Sequence, residues 1–393
     1  MKLPRFWRTK WFWVVLGLGV IVRVALWTVP GHGWDVEQWW KLTHENNFGN
    51  SYHVGFYYLF KAIELISPDQ LTFNYILKLP IYLADLLSGL IILDLVRKGF
   101  GDTKGLWAFV FYFLNPALIW LSTCWSQVDT IIILLSLASI WCLFNKKAFL
   151  LGILSGLLLT TKPQVIFILV PLLLAALVYL KKDIWKSLLA AFISLSIVIF
   201  PLFGLNYLSF INKFFFAYGL DNQITVSANN FWLALDSSNL ARPDSDLIFG
   251  LVSYKNAGYI IFGILFLFFA KKWWKNRKDE QAIFPFLFMT IFTFFMFFTR
   301  AHERYTIYAL PFLILWMFSF SQSKKSNNIF FLFSSFTFLI FATYVVSQNG
   351  DHVQADTLKL LMQILAGFML AAYLFSIYNF YGKNRFNKKV LPA

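Results

Sequence analysis

Charge is what this sequence has least of. Asp, Glu, Lys and Arg make up 13% of its 393 residues, whereas 59% are hydrophobic. A soluble globule with that balance would have too little polar surface, so the composition excludes one and places the chain in a bilayer. Cysteine is nearly absent, with Cys124 and Cys142 alone, which excludes a disulfide framework and a paired-cysteine metal site. There is no Walker loop, no dinucleotide fingerprint and no HExxH pattern, so nucleotide binding has no support. The histidines, at positions 32, 44, 53, 302 and 352, show no metal-ligand spacing. A net charge of +15 would fit nucleic acid if the basic residues lay together. Instead they fall in short clusters between apolar runs, the mark of cytoplasmic loops, and no nucleic-acid partner is expected.

Apolar runs of spanning length recur along the whole chain. They predict an all-α polytopic membrane protein of about twelve transmembrane helices, near 11–29, 71–96, 106–123, 129–145, 148–161, 165–180, 187–206, 249–270, 281–299, 305–321, 329–346 and 357–379. The start is basic and its apolar run has no cleavage pattern, so it reads as a retained first span. One membrane domain over 1–393 is expected. Most basic residues then fall on one side if both termini are cytoplasmic, as with Lys146-Lys147, Lys181-Lys182 and the group from Lys271 to Lys278. The outer side carries a first loop over 30–70, with amphipathic helices, and a second large loop over 206–249. Short loops and the lack of a retention signal fit a bacterial plasma membrane.

The stretch from Ala148 to Leu180 is too long for one span and too short for two, since each needs roughly 20 residues. It is interrupted by Thr161-Lys162-Pro163-Gln164. Two shortened helices meeting below the outer surface resolve this, with Lys162 at the floor of a wet cavity. The alternative is a Lys162 that snorkels to the headgroups.

Asp35 lies in Gly31-His32-Gly33-Trp34-Asp35-Val36-Glu37-Gln38-Trp39-Trp40, just after the first span. A carboxylate at the membrane surface among indole rings is partly desolvated, which raises its pKa and suits a general base. Asp35 equally fits a helix N-cap, with Gln38 completing a box-like pattern. Asp35 and Glu37 would allow a weak Mg or Mn site. The turn Thr299-Arg300-Ala301-His302-Glu303-Arg304-Tyr305 packs two guanidiniums and an imidazole into a donor-rich patch suited to phosphate oxygens, with Glu303 orienting one of them. Ser126-Gln127-Val128-Asp129 closes a third outer turn, and Asp129 reads as an N-cap. Lys78 and Asp85, two helical turns apart, look like an intramembrane ion pair. Arg23 either neutralises a phosphate or snorkels.

Together, the first-loop Asp35, Gln127 with Asp129, Lys162-Pro163-Gln164 and His302-Glu303-Arg304 resemble the GT-C superfamily of membrane glycosyltransferases. More narrowly, the chain resembles bacterial proteins related to GPI mannosyltransferase II and, more distantly, the glucosyltransferases that extend lipid-linked oligosaccharides. The first lumenal loop of those eukaryotic enzymes carries Gly-Asp-x-Glu-Ala-Gln-x-x-Trp, of which Gly33 to Trp40 is a shortened version. The His-Glu-Arg turn followed by Leu310-Pro311 is the most specific match. Tyr52-His53-Val54 departs from the family's Tyr-Pro-Pro-Leu. The resemblance implies a GT-C fold and inverting transfer of a sugar from a polyprenyl-phosphate donor to a glycan or glycolipid acceptor. It makes Asp35 the catalytic base and gives Lys162, Arg300, His302 and Arg304 to the donor phosphate, supported by Glu37, Gln127, Asp129, Gln164 and Glu303. Trp34, Trp39 and Trp40 would stack on sugar or anchor at the interface. That mechanism needs Asp35 and the His-Glu-Arg turn to face a shared crevice. Two other classes compete: a twelve-helix secondary transporter, although no internal repeat is present, and a lipid-carrier flippase or ligase.

Overall fold

The computed structural model describes residues 9–45, 54–216, 222–319, 323–348 and 355–382. Tyr52-His53, the loop at Asp351 and the basic termini lie outside them. The chain divides into two compact units, one through residue 218 and one over 219–388.

Each apolar run seen in the sequence is helical. The first unit holds α1 (Lys10–Ala25), α2 (Gly33–His44), α3 (Val54–Glu64), α4 (Gln70–Phe100), α5 (Asp102–Phe113), α6 (Pro116–Ile119), α7 (Asp129–Phe144), α8 (Ala148–Leu159), α9 (Ile166–Tyr179), α10 (Ile184–Phe203) and α11 (Tyr207–Phe216). In the second come β1 (Thr225–Val226), α12 (Phe231–Leu235), β2 (Leu247–Ile248), β3 (Val252–Ser253), α13 (Tyr254–Lys275), α14 (Ile283–Phe297), β4 (Ala301–His302), α15 (Leu310–Phe318), α16 (Ser323–Gln348) and α17 (Ala355–Tyr381). Among the described residues six helices are long and apolar enough to cross a bilayer, and α5 with the α6 segment, bent by 45°, makes a seventh. Helices α7, α8 and α9 are apolar but shorter. This is an integral, multi-pass membrane protein.

Local chemistry explains the breaks. Asn115 caps α6 by accepting from the Ala117 amide, and Pro116 follows it, so α5 cannot run on. Helices α8 and α9 are the two short helices expected around Lys162, which sits between them with extended backbone ahead of Pro163. At the other end of the second large loop, residues 247–253 form a hairpin that turns at Phe249 and Gly250, both with positive φ. Helix α13 therefore starts at Tyr254, after the sequence-expected edge at 249.

Small residues let α8 and α10 touch closely. A Cβ on Gly152 would meet the Ser187 carbonyl and the Ala190 methyl, and one on Gly156 would meet the Ser194 hydroxyl and the Ala191 carbonyl. This is a small-xxx-small seam, which lets helices pack without a hydrophobic drive between them. Ser194 then donates across the seam to the Ile153 carbonyl at 3.0 Å. Gly156→Leu is expected to cost about 1–3 kcal/mol or more by overpacking. A drop in the thermal midpoint of the protein in lipid nanodiscs reads this, and an unchanged midpoint would show that the seam does not set stability.

In the second unit α14 is buried along its whole length and packs against α13, α15 and α17. Its many Phe rings meet aromatic neighbours, as with Phe292 on Phe336 and Tyr373. The Phe-rich composition thus fills the core of this unit.

Candidate active site

The chain leaves α1 at a fixed height because Lys78, fully buried on α4, donates to the carbonyls of Trp27 at 2.8 Å and Val29 at 2.6 Å. Those carbonyls end the first apolar segment and would otherwise lack partners. The expected pair between Lys78 and Asp85 does not form. Asp85 instead meets Arg23 at 3.2 Å, both buried, and Arg23 also donates to the carbonyls of Gly19 and Phe113. Helical spacing places Lys78 and Asp85 on one face, but it does not reveal that α1 brings a guanidinium to the acid first. Arg23 is therefore a buried cross-link between α1 and α4 and does not snorkel.

Beyond that anchor the chain is drawn toward the turn after α6. The His32 amide donates to the Trp125 carbonyl at 3.1 Å. A Cβ on Gly31 would collide with the Asn74 and Ser126 side chains, so glycine allows this approach. His32 is the N-cap of α2, which leaves Asp35 in the first turn of the helix and not at its cap. There the helix dipole favours its negative charge. The Asp35 carboxylate, 15% exposed, accepts from Gln127 Nε2 at 2.8 Å and lies 3.1 Å from His32 Nδ1. Gln127 is the supporting residue expected from the sequence, whereas His32 is a partner the sequence did not single out. Glycines on both sides of His32 were the available signal.

The rest of α2 splits by face. Val36, Trp39, Leu42 and Thr43 are buried, and Trp39 stacks on Phe60 of α3 at 5.1 Å. Trp40 stacks on His44 at 4.8 Å, and Trp34 is exposed. Glu37 turns to Lys41, one helical turn away, and away from Asp35. Among the described residues no three His, Cys, Asp or Glu side chains gather as a metal site would require. Asp35 and Glu37 thus face different partners, His32 with Gln127 for the one and Lys41 for the other. At the far end of this helical pair, Glu64 is held below the usual carboxylate range by its hydrogen bond from Lys61, against burial, with His44 adding to it.

Asp129 opens α7 one residue after its N-cap, Val128, and does not act as the cap. Its two oxygens accept from Lys162 Nζ at 3.0 and 3.1 Å, and both side chains are buried. Lys162 therefore does not snorkel. Pro163 ends α8's path and lets the lysine turn inward, where Gln164 is also buried.

The second unit holds the His-Glu-Arg turn. Strand β4 pairs in parallel with β1, with Thr225 opposite Ala301 and Val226 opposite His302. Arg300 has φ of 60°, and its amide donates to the Ile224 carbonyl at 3.2 Å. Its guanidinium grips Asp244, with Nε at 2.7 Å from Oδ2 and Nη2 at 2.9 Å from Oδ1, while Thr299 Oγ1 donates to Oδ2 at 2.8 Å. Asp244 is a partner that the sequence pattern did not single out. Glu303 and Arg304 are buried neighbours with Nη1 at 3.4 Å from Oε1, and His302 packs edge-on against Tyr305.

No protein-family model and no curated protein matches the chain. Solved structures do match its fold. The chain is similar to ArnT from Cupriavidus metallidurans bound to undecaprenyl phosphate, with a TM-score of 0.53 at 10% identity over 94% of this chain and 77% of that one. It is similar to the apo form of ArnT as well, with a TM-score of 0.51 at 11% identity over 95% and 77% of the two chains. This chain has the ArnT fold. The expected all-α, multi-pass architecture is therefore present, while the narrower likeness to mannosyl- and glucosyltransferases gains nothing from these matches.

Proposed function

We propose that this protein is a GT-C-type glycosyltransferase that moves a hexose, mannose or glucose, from a polyprenyl-phosphate donor to a lipid-linked or envelope glycan. The acceptor is met on the extracytoplasmic face of a bacterial plasma membrane, with both termini cytoplasmic. The observation that carries this reading is Asp35, a mostly buried carboxylate just beyond the first apolar helix, oriented by Gln127 in a fold shared with a protein bound to undecaprenyl phosphate. The ArnT structure holds undecaprenyl phosphate, which supports a polyprenyl-phosphate donor here.

In this mechanism the acceptor hydroxyl oxygen attacks the anomeric carbon as Asp35 takes its proton. The bond between that carbon and the phosphate oxygen breaks, and its electron pair leaves with the lipid phosphate. Configuration inverts. The leaving phosphate needs no general acid, so one carboxylate suffices, unlike the two of a glycosidase. Cations near the phosphate stabilise the charge that develops on it. Of the four expected there, Lys162 and Arg300 already hold carboxylates closely. His302 and Arg304 are the first choices, since both stand on the donor-rich turn that begins at β4. Trp34 is the exposed ring of its cluster and is assigned to the sugar face.

Purified protein incubated with a panel of polyprenyl-phosphate sugars and a glycolipid acceptor is expected to release the bare lipid phosphate. Turnover with nucleotide sugars alone would overturn the donor assignment.

A further inference from the structure

Asp244 is a carboxylate that the mechanism above does not use, yet it is bonded through both of its oxygens. Its side chain is buried, and it receives donors from both Thr299 and Arg300, which stand immediately before His302 and Arg304. Its backbone is tied as well. The Asp244 amide donates to the Asn222 carbonyl at 2.7 Å, and its own carbonyl accepts from the Lys255 amide at 3.1 Å. The acid is thus fixed from both sides before it grips the turn. Arg300 meets it through a planar, two-point fork, a geometry that lysine cannot reproduce.

The grip has a visible purpose in the backbone. Arg300 takes a left-handed φ of 60°, which a non-glycine residue adopts only when its surroundings hold it there. That reversal sends the next two residues alongside β1, so that His302 lies opposite Val226 and also bridges to Ser227. A residue in direct charge of phosphate would have its guanidinium turned outward, but here it is spent on the loop that frames the turn.

We propose that Asp244 and Arg300 form a positioning clamp that sets His302 and Arg304 as phosphate contacts, and that Arg300 itself is not a phosphate ligand. The clamp rests on the lipid-phosphate reading given above. Asp244 and Arg300 act as one unit, so removing either releases the same strained turn. A phosphate contact made by Arg300 as a point charge would behave differently, because lysine serves phosphate well in that role.

The test uses the full-length protein in nanodiscs, with undecaprenyl phosphate as the probe in a binding assay and polyprenyl-phosphate sugar turnover read beside it. D244N, R300K and the double variant are each expected to weaken probe binding about tenfold, with the double no worse than either single change. Their donor KM should rise by a similar factor while kcat falls less, a split that general loss of folded protein would not give. D244E, which keeps the charge, should recover part of the binding. If R300K binds as the unaltered protein does, or if the double loss is the product of the single losses, Arg300 touches phosphate on its own account and the clamp is wrong. A D244N protein that binds the probe normally overturns it as well. An unaltered protein that binds the probe but transfers no sugar removes the proposed function and leaves the clamp judged by its binding data. Failure of the unaltered protein to bind the probe at all sinks both.

Discussion

Exchanging Asp35 for asparagine is expected to abolish sugar transfer while the lipid donor still binds. Asn keeps the size of the side chain and an oxygen that can accept from Gln127 Nε2, which now lies 2.8 Å from the carboxylate. What it removes is the capacity to take a proton. A positioned general base contributes roughly 10²–10⁴ in rate, and Asp35 is the single base the mechanism invokes, so the loss should reach the upper part of that range. The measurement is release of lipid phosphate from a polyprenyl-phosphate sugar, paired with binding of the same donor. The pairing matters because the carboxylate also anchors the first turn of α2 beside His32. Weaker donor binding with preserved turnover per bound donor would show that Asp35 organises the loop and does not carry the proton. Q127A should act more gently, since it loosens the acid without removing it.

The second large effect is expected at the buried pair of Lys162 and Asp129. Their side chains are 1% and 0% exposed, so solvent does not screen the pair. Removing one member strands a charge out of water, which costs about 3–5 kcal/mol, whereas replacing both by apolar groups of similar volume is often nearly neutral. K162M and D129L should therefore each lower the thermal midpoint sharply, and K162M with D129L should return much of it. The pair joins the break between α8 and α9 to the start of α7, so the expected loss also loosens the two short helices. Single variants as stable as the unaltered protein would mean that water reaches the site. The stable double variant serves a second purpose. If it binds the lipid donor as well as the unaltered protein does, Lys162 is a structural cation and His302 and Arg304 carry the phosphate without it.

Much of the architecture was legible because a bilayer leaves a chain few options. Apolar segments must be helical there, since every backbone group has to be satisfied within its own segment. Hence the run after Ala148, broken at Lys162-Pro163, was readable as two short helices. Partner choice was less legible. Lys78 is two turns from Asp85 on one helix, but the acid takes Arg23 from α1 and the lysine takes carbonyls at the end of the same segment. The cap expected at Asp129, and the one left open at Asp35, do not form for a related reason. Asp35 and Asp129 both follow turn-like residues, yet His32 and Val128 begin the helices, and the two acids face partners distant in sequence. Asp244 carried no local signal at all, being one of two acids after Pro243 in a polar loop.

The sequence by itself determined that this chain is a multi-pass helical membrane protein, and it put the reactive groups of the proposed transfer in two short stretches. Solvent decides that much, because hydropathy and the cost of a bare backbone in lipid act on each segment separately. Only the tertiary structure decided which charges neutralise one another: Arg23 with Asp85, Lys162 with Asp129, Arg300 with Asp244. In a low-dielectric interior a charge is satisfied by whichever partner packing delivers within about 3 Å, and that depends on neighbours dozens of residues away.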